Sequence, residues 1–287
     1  MTRETIGVLG AGVMGTGVAH ALAASGFKVT LVDVDQTRAD AARANIEKNI
    51  RMYQLLHKMD QQQADGIMGR IQATADASAV YDADFLIENI TEKWALKEAL
   101  HRTLSQNLKP GTPVVANTSA IPIAHFAKCY ADPARVAGMH FMNPVPLMPM
   151  VEVIRAPTTS EQTLAACRAL IEGMGKQSIV VNDSPGFITN RVMMLTVNEA
   201  IFCLHEKVAA SAKDIDRLFM SCFGHKMGPL ATTDLIGVDT VLLSLEVLHH
   251  EFKDDKYRPC PLLREMVAAG RLGRKNGKGF YDYDDAE

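Results

Sequence analysis

Residues 5–33, TIGVLGAGVMGTGVAHALAASGFKVTLVD, decide the fold of the chain. A short apolar run opens this stretch and leads directly into a glycine-rich turn at residues 10–15. A segment of helical character follows as far as Ser25, and a second β-branched run ends in Asp33. Strand, glycine turn, helix, strand and terminal acid form, in this order, the fingerprint of a dinucleotide-binding unit.

Each of the three glycines in the turn has its own expected role. Gly10 permits the tight turn out of the strand, Gly12 lets a pyrophosphate approach the backbone, and Gly15 allows close packing of the helix on the sheet. Val13 and Met14 stand at the start of the helix. Free N–H groups and the positive end of the helix dipole favour phosphate at this point.

Asp33 indicates which dinucleotide is bound. It lies eighteen residues after Gly15, near the spacing at which an acid binds the ribose hydroxyls of the adenosine half. A carboxylate there repels a 2′-phosphate, so NAD is favoured over NADP, although Arg38 keeps NADP open. We expect NAD as the cofactor.

A secretory signal peptide is the alternative interpretation of the first residues, since Arg3 precedes an apolar stretch. Glu4, His20 and the six glycines between residues 7 and 26 argue against it, because they leave no clean apolar core. The chain is therefore expected to be mature from residue 1.

Bulk composition limits the class of protein and its partners. The 287 residues are enough for two domains, each with its own core. A net charge of −3 and a pI near 6.3 give no electrostatic case for nucleic acid or an anionic membrane as partner. Five cysteines without a CxxC pair predict reduced thiols in a cytoplasmic protein and no metal framework. No apolar run reaches the ~18 residues of a membrane helix.

Strand and helix signals alternate as far as residue 185 and then give way to helices alone. The predicted strands are 6–9, 29–32, 84–90, 112–116, 135–141, 150–155 and 178–181. We therefore predict an α/β domain at 1–185, Rossmann-like and doubly wound with a mostly parallel sheet, and an all-α C-terminal domain at 186–287. Ligands collect at the carboxyl ends of such strands, where Asn117, Ser119 and His140 fall.

The predicted helix 188–207 carries apolar residues on several faces. Burial on both sides is expected of such a helix. Two explanations stay open: an interface between two copies of the chain, or a central helix in the core of the second domain.

Four polar side chains are candidates for alcohol oxidation, which needs a base for the hydroxyl proton and donors for the forming carbonyl. His140 closes an apolar strand and is the best base, although a histidine at a strand end also fits a structural role. Glu152 could accept the other imidazole N–H. Ser119 and Asn190 are neutral donors.

Nearly the whole chain resembles the L-3-hydroxyacyl-CoA dehydrogenases, particularly the short bacterial 3-hydroxybutyryl-CoA dehydrogenases. The resemblance is carried by GAGVMG at 10–15, NTS at 117–119, HFMNPVP at 140–146, VEVI at 151–154, PGFITNR at 185–191, MGPL at 227–230, YRP at 257–259 and GRKNGKGFY at 273–281. So long and ordered a set of motifs is very specific.

The resemblance implies a role for each candidate and a reaction. His140 would be the general base paired with Glu152, and Ser119 and Asn190 would bind the substrate hydroxyl and the carbonyl that it becomes. The reaction would convert an L-3-hydroxyacyl thioester and NAD⁺ to a 3-oxoacyl thioester and NADH.

Further positions follow from the same resemblance. Glu92, Lys97 and Asn117 would line the nicotinamide and ribose side of the cofactor. A homodimer held by the C-terminal domain is also implied, with the cleft between the domains closing on the substrate.

Three departures from the family pattern concern the substrate. Relatives that use CoA carry several lysines after the second strand, whereas residues 51–59 read RMYQLLHKM, so that Lys58 alone remains as a phosphate-binding candidate. Ala120 replaces a serine, and Pro149 stands where many relatives have a lysine. A carrier-protein-bound hydroxyacyl or hydroxymalonyl-type thioester is therefore the alternative to a CoA thioester. Leu55 and Leu56 would then face a partner protein, or else belong to the core.

A different class of function also has to be considered. Proteins of this fold can act on sugar acids or serve as non-catalytic, crystallin-like proteins. The sequence HFMNPVP at 140–146 resembles the acyl-thioester branch more than the sugar-acid branch. The complete set of His140, Glu152, Ser119 and Asn190 argues against a non-catalytic role.

Overall fold

The computed structural model describes residues 4–56 and 59–283. The chain divides into two compact units, Met1–Ser184 and Pro185–Glu287. The first unit is an α/β sandwich, and the second is helical.

Strands and helices alternate along the first unit. The strands found in its described residues are β1 (Thr5–Leu9), β2 (Lys28–Val32), β3 (Ile71–Thr74), β4 (Phe85–Glu88), β5 (Val114–Ala116), β6 (Val136–Phe141), β7 (Met150–Arg155) and β8 (Gln177–Asn182). The helices are α1 (Val13–Ala24), α2 (Gln36–Leu55), α3 (Gln61–Met68), α4 (Trp94–Asn107), α5 (Ile123–Ala127) and α6 (Glu161–Gly173). Each strand that the sequence predicts is present.

The eight strands form one sheet in the order β3-β2-β1-β4-β5-β6-β7-β8. All neighbours from β3 to β6 are parallel, β7 is antiparallel to β6, and β8 is parallel to β7. The predicted fold class, a doubly wound and mostly parallel sheet, is confirmed. The chain order reverses between β1 and β4, and ligands of open α/β sheets bind beyond the carboxyl ends of the strands at such a point.

Burial explains why most of these strands could be predicted. The residues of β4, β5 and β6 are buried throughout, as expected for parallel strands covered on both faces. The strand β3 was not among the predicted strands; its residues IQAT are half-polar and only partly buried at the edge of the sheet. A short edge strand of this kind has little apolar periodicity to detect.

Asp60 is the N-cap of α3. Its Oδ1 accepts the backbone N–H of Gln63 at 2.7 Å, and the Gln63 side chain accepts the Asp60 N–H at 3.0 Å. This capping box satisfies two N–H groups that would otherwise have no partner at the start of the helix.

The second unit is built from five α-helices within its described residues. They are α7 (Thr189–His205), α8 (Ala212–Phe223), α9 (Pro229–Ile236), α10 (Val238–Phe252) and α11 (Pro261–Ala268). Isolated β-bridges at Gly273–Lys278 and Lys278–Asp282 are the β-structure seen in the described part of this unit. Helices predicted from the sequence at 188–207, 211–222, 238–252 and 261–269 are all present, whereas α9, which begins at Pro229, was not predicted.

One face of α7 belongs to the core of the second unit, and the other does not. Met194, Val197 and Ile201 are buried, whereas Ile188, just before the helix, and Val192 are exposed. Both explanations, an interface between two copies and a helix in the core, therefore stay open. The helix supplies buried core residues on one face and an apolar surface on the other.

The aromatic tail of the second unit docks on α9. The carboxylate of Asp234 accepts the backbone N–H groups of Phe280 and Tyr281 at 2.8 and 2.9 Å. Burial raises the pKa of the Asp234 carboxyl, although these N–H donors oppose that rise.

Across the described residues, no helix combines the length and the apolarity needed to cross a membrane.

Candidate functional site

The turn between β1 and α1 requires glycine at two positions. Gly10 has φ +92°, and a Cβ there would lie 2.7 Å from the carbonyl of Asn89 in the loop after β4. A Cβ on Gly15 would lie 1.7 Å from the carbonyl oxygen of Gly10. The turn is therefore locked between the first turn of α1 and the β4 loop, at the reversal point of the sheet.

Gly12 differs from these two glycines because the fold does not require it. Its φ is −72°, and a Cβ there would meet nothing within 4 Å. The open space lies at the N-terminus of α1, whose first residues are Val13 and Met14. Free N–H groups and unoccupied volume beside a helix start are what a pyrophosphate needs.

Asp33 follows β2 and contacts the glycine turn directly. Its Oδ2 accepts the N–H of Ala11 at 2.8 Å, and its Oδ1 accepts the N–H of Val34 at 2.9 Å. The carboxylate is thus fixed beside the turn, half-buried, in the position that the fingerprint predicts for a ribose-binding acid.

A cavity of about 510 Å³ opens beside the start of α1. Its walls are formed by Ala11, Gly12, Val13, Thr16, Gly17, His20, Asn45, Lys48, Asn49, Tyr53 and residues 143–147. Lys48 and the two asparagines repeat at helical spacing on α2, a pattern that is present in the sequence but was not among the predicted site residues. Burial lowers the pKa of the His20 imidazole, which favours a neutral ring in this wall.

His140 and Glu152 meet because β6 and β7 are antiparallel. The register places the two residues directly opposite each other, so their side chains project from the same face of the sheet. Nδ1 of His140 lies 3.1 Å from Oε2 of Glu152, and both side chains are buried. A ring proton on Nδ1 donates to the carboxylate, which leaves Nε2 as the nitrogen that accepts a proton.

Ser119 lies on the Nε2 side of His140. The Ser119 hydroxyl oxygen is 3.2 Å from Nε2, in the turn that follows β5. Three of the four predicted residues are therefore brought together by the first unit. A base with a fixed tautomer and an adjacent hydroxyl donor suits reversible proton transfer on a substrate alcohol.

Glu92 organises the backbone of the same turn. Its Oε1 accepts the hydroxyl of Thr118 and the backbone N–H groups of Ser119 and Ala120, the latter two at 3.0 and 3.4 Å. Ala120, where the family pattern has a serine, is buried. Glu92 is half-buried and thus lies at the boundary between this turn and solvent.

Asn117 joins three loops at the carboxyl edge of the sheet. Its amide nitrogen donates to Oδ1 of Asn89 at 2.7 Å, and its Oδ1 accepts the N–H of Phe141 at 3.2 Å. Lys97, in contrast, is fully buried on α4, with Nζ 3.4 Å from Oε2 of Glu92. The role of Asn117 and Lys97 on the nicotinamide and ribose side of the cofactor stays a prediction.

Two of the predicted residues are not among those that form this site in the first unit. Asn190 is the second residue of α7 and belongs to the second unit, so its role beside His140 stays a prediction. Lys58 lies outside the described residues. The alternative that Leu55 and Leu56 are core residues is wrong, since they are 76% and 55% exposed.

The family is shown by comparison with known proteins. Residues 5–184 match the family model for the 3-hydroxyacyl-CoA dehydrogenase NAD binding domain, and residues 186–283 match the model for the C-terminal domain of the same family. The chain belongs to the 3-hydroxyacyl-CoA dehydrogenase family. It is thus an NAD-dependent oxidoreductase, and the resemblance seen in the sequence is confirmed.

Named relatives are similar over their whole length. A Bacillus subtilis protein named "probable 3-hydroxybutyryl-CoA dehydrogenase" is 44% identical, with 99% of both chains covered. The 3-hydroxybutyryl-CoA dehydrogenase of Bradyrhizobium diazoefficiens is 41% identical, covering 99% of this chain and 97% of the relative. The crystal structure of (S)-3-hydroxybutyryl-CoA dehydrogenase from Ralstonia eutropha superposes with a TM-score of 0.93 at 38% identity, covering 99% of this chain and 100% of that one.

The position of Asp33 predicts the cofactor preference. Asp33→Ser should lower the ratio of kcat/KM for NADH to that for NADPH by about tenfold or more, because it removes a like-charge contact with the 2′-phosphate. The ratio is measured from initial rates with each cofactor at one substrate concentration.

Asp35→Ser is the matched control for this change. Asp35 caps α2 by accepting the N–H of Thr37 at 2.8 Å, and serine can cap as well. Its cofactor ratio should equal that of the unchanged protein. Equal rates of the unchanged protein with NADPH and NADH would contradict the role of Asp33.

Proposed function

We propose that this protein interconverts an L-3-hydroxyacyl-CoA and the corresponding 3-oxoacyl-CoA, with His140 as the general base. The observation that carries the proposal is the buried pair of His140 and Glu152, in which the imidazole Nε2 faces Ser119. The pair lies at the same edge of the sheet as the glycine turn. Relatives named as 3-hydroxybutyryl-CoA dehydrogenases support a short acyl chain.

The proton path follows from the two contacts of the imidazole. His140 Nε2 takes the proton from the substrate hydroxyl, and the carboxylate of Glu152 stabilises the imidazolium that forms. Ser119 donates a hydrogen bond to the oxygen as it becomes a carbonyl, and Asn190 is proposed as a second donor. When bound, NAD supplies the acceptor for the hydride of the carbinol carbon. In the reverse direction His140 returns the proton to the oxygen.

The first unit is assigned to the cofactor. Gly12, Val13 and Met14 would face the pyrophosphate, and Asp33 the adenosine ribose. Asn117, Glu92 and Lys97 would serve the nicotinamide and ribose side. The second unit, from about residue 186, would contribute Asn190 to the substrate and supply the dimer contacts.

The α2 wall of the cavity beside α1 favours CoA as the carrier of the acyl group, whereas the wall formed by the glycine turn is assigned to the cofactor. Exposed Lys48, Asn45 and Asn49 on α2 offer a cation and amide donors to a phosphate-bearing chain. Leu55 and Leu56 lie about two turns beyond Lys48 and are exposed. They offer an apolar contact to a carrier protein. The names of the relatives support the CoA thioester, and a carrier-protein thioester is retained as the alternative.

Free cysteines and apolar surfaces support two further proposals. All five cysteines are free, which agrees with a reducing compartment and thus with the cytoplasm.

In the second unit, Leu218 and Phe223 of α8 are exposed at 59% and 69%. Exposed large apolar residues on one helix are typical of an interface, here between two copies of the chain.

His140→Gln should abolish turnover while cofactor binding survives. Loss of a general base lowers kcat by about 10²–10⁴-fold. Rates are measured with acetoacetyl-CoA and NADH, and NADH binding by fluorescence titration. His249→Gln, a change of an exposed histidine that pairs with Asp255, is the control and should leave the rate unchanged. Substantial activity of His140→Gln would refute the assignment of the base.

A competition assay tests the thioester carrier. Acetoacetyl-CoA is offered beside the same acyl group on a carrier protein and on a short pantetheine mimic, and NADH oxidation is followed. We expect robust turnover of the CoA substrate at micromolar concentration. A clear preference for the carrier-protein substrate would contradict the CoA proposal.

Lys48 sharpens this test. Lys48→Gln should raise KM for acetoacetyl-CoA by about fivefold, since an exposed ion pair contributes about 1 kcal/mol or less. KM for the pantetheine mimic, which lacks the nucleotide phosphates, should not change. Arg43→Gln, an exposed change on the same helix outside the cavity wall, is the control.

Sedimentation velocity tests the dimer. The unchanged protein should sediment as a dimer at micromolar concentration. Phe223→Glu should shift it to a monomer, because a charge at the centre of an apolar contact is costly to bury. Leu55→Glu, an equally drastic change on an exposed leucine of the first unit, should leave the dimer intact. A monomer at all concentrations would contradict the proposal.

A further inference from the structure

His20 is a buried histidine in the wall of the cavity beside α1. Its side chain is 3% exposed, and the ring lines the cavity together with Asn45, Tyr53 and Asn143. The centroids of the His20 and Tyr53 rings are 6.4 Å apart. No hydrogen bond joins the ring nitrogens of His20 to another residue that the structure describes.

A polar ring in this position needs a partner that the described fold does not supply. Burial of a polar group without a hydrogen bond costs free energy, so native structures pair nearly every such group with protein, water or ligand. Because the ring lines the cavity, its partner comes from whatever fills that volume. Burial also lowers the pKa of the imidazole and thereby favours the neutral ring.

A neutral imidazole suits one kind of ligand group. One of its nitrogens carries a proton and donates, and the other accepts. A secondary amide offers the complementary pair, a carbonyl oxygen and an N–H. A phosphate is better bound by a cation. Of the described residues that line the cavity, Lys48 is the one with a formal charge, and it lies on the exposed part of α2.

The place of His20 on α1 separates it from the cofactor contacts. Val13, Gly17 and His20 line the cavity from one face of the helix, and His20 is seven residues beyond Val13. At about 1.5 Å per residue, this is a distance of about 10 Å along the helix axis. Asp33, assigned to the adenosine ribose, contacts the glycine turn at Ala11. Both cofactor contacts therefore lie at the opposite end of this stretch of helix.

The other walls fit a chain of amides and methylene groups. Asn143 and Tyr53 add an amide and a hydroxyl, whereas residues 145–147 are apolar. Their loop packs on α1, because a Cβ on Gly17 would lie 3.2 Å from Cβ of Val145. A pantetheine arm has the matching composition, since short apolar segments separate its amides. The volume of about 510 Å³ is typical of small-molecule sites.

We propose that His20 is a specificity-determining residue, which hydrogen-bonds an amide of the pantetheine arm of the thioester substrate. The buried ring binds the arm, and the exposed Lys48 binds the phosphates beyond it. The arm is common to CoA and to the prosthetic group of a carrier protein, so His20 serves either carrier. This inference rests on the proposed function, in which the acyl group is carried as a thioester.

His20→Leu tests the contact, because leucine fills a similar space without a donor or an acceptor. KM for acetoacetyl-CoA and for the acetoacetyl pantetheine mimic should both rise by about fivefold, as expected for one lost hydrogen bond. KM for an S-alkyl thioester of acetoacetate, which has no amide, should equal that of the unchanged protein. We expect kcat to stay within about twofold, because the lost contact is the same in the ground state and the transition state. Initial rates of NADH oxidation give both constants.

His20→Gln is the conservative control, since its amide retains a donor and an acceptor. Its KM values should stay within about twofold of those of the unchanged protein. Lys48→Gln should show the complementary pattern, with a higher KM for the CoA substrate alone. If the thermal midpoint shows that His20→Leu does not fold, His20→Phe takes its place, because it keeps an aromatic ring against Tyr53.

A comparison within the unchanged protein needs no variant. KM for the S-alkyl thioester should exceed that for the pantetheine mimic by about fivefold or more, because the alkyl group leaves His20 without its partner. Equal KM values for these two substrates would overturn the inference.

The results with the variant can also overturn it. An unchanged KM for every substrate in folded His20→Leu would show that water alone pairs with the ring. An equal rise for the S-alkyl thioester would show a loss of packing, and a rise in KM for NADH alone would assign the ring to the carboxamide of the cofactor. Inactivity of the unchanged protein with all thioesters, or equal activity of His140→Gln, would instead refute the proposed function.

Discussion

The reversal of chain direction between β6 and β7 is the constraint on which the catalytic arrangement depends. The antiparallel register sets His140 directly opposite Glu152. Directly opposite pairs of this kind are a feature of antiparallel ladders, whereas parallel strands have evenly spaced, slanted hydrogen bonds. The carboxylate fixes the Nδ1 proton, and only then does Nε2 become an acceptor beside Ser119. Since both side chains are buried, an imidazolium formed in the proposed reaction would lie beside the carboxylate of Glu152.

The two halves of the chemistry share their supporting loops. The loop after β4 presses the Asn89 backbone against Gly10 on one side, and its Asn89 side chain accepts from Asn117 on the other. The glycine turn and the loop of Asn117 are thus both in contact with the loop after β4. A displacement of this loop would therefore disturb the glycine turn and the residues around His140 together.

Much of this arrangement could be predicted from sequence, and the rest depended on tertiary register. The glycine turn and the buried strands have local signatures, so the fold followed from periodicity. The contact of His140 with Glu152 spans two strands. The residue types made it a candidate pair and the family resemblance assigned it, but the register that creates the contact is tertiary. Lys48, Asn45 and Asn49 were not recognised as site residues, because polar residues on a helix are ordinarily assigned to its solvent-exposed face. Leu55 is exposed because the buried face of α2 is formed by residues such as Ile46 and Ile50, and Leu55 does not lie on that face.

The contrast between Gly10 and Gly12 also bears on how variation is tolerated at this turn. Gly10 is demanded by its φ and by the nearby Asn89 carbonyl, whereas the space beside Gly12 is empty. Selection for folding acts on the first, and selection for the ligand acts on the second. A library of variants sorted for stability alone would keep side chains at Gly12 and lose them at Gly10, so two glycines of one motif are subject to separate constraints.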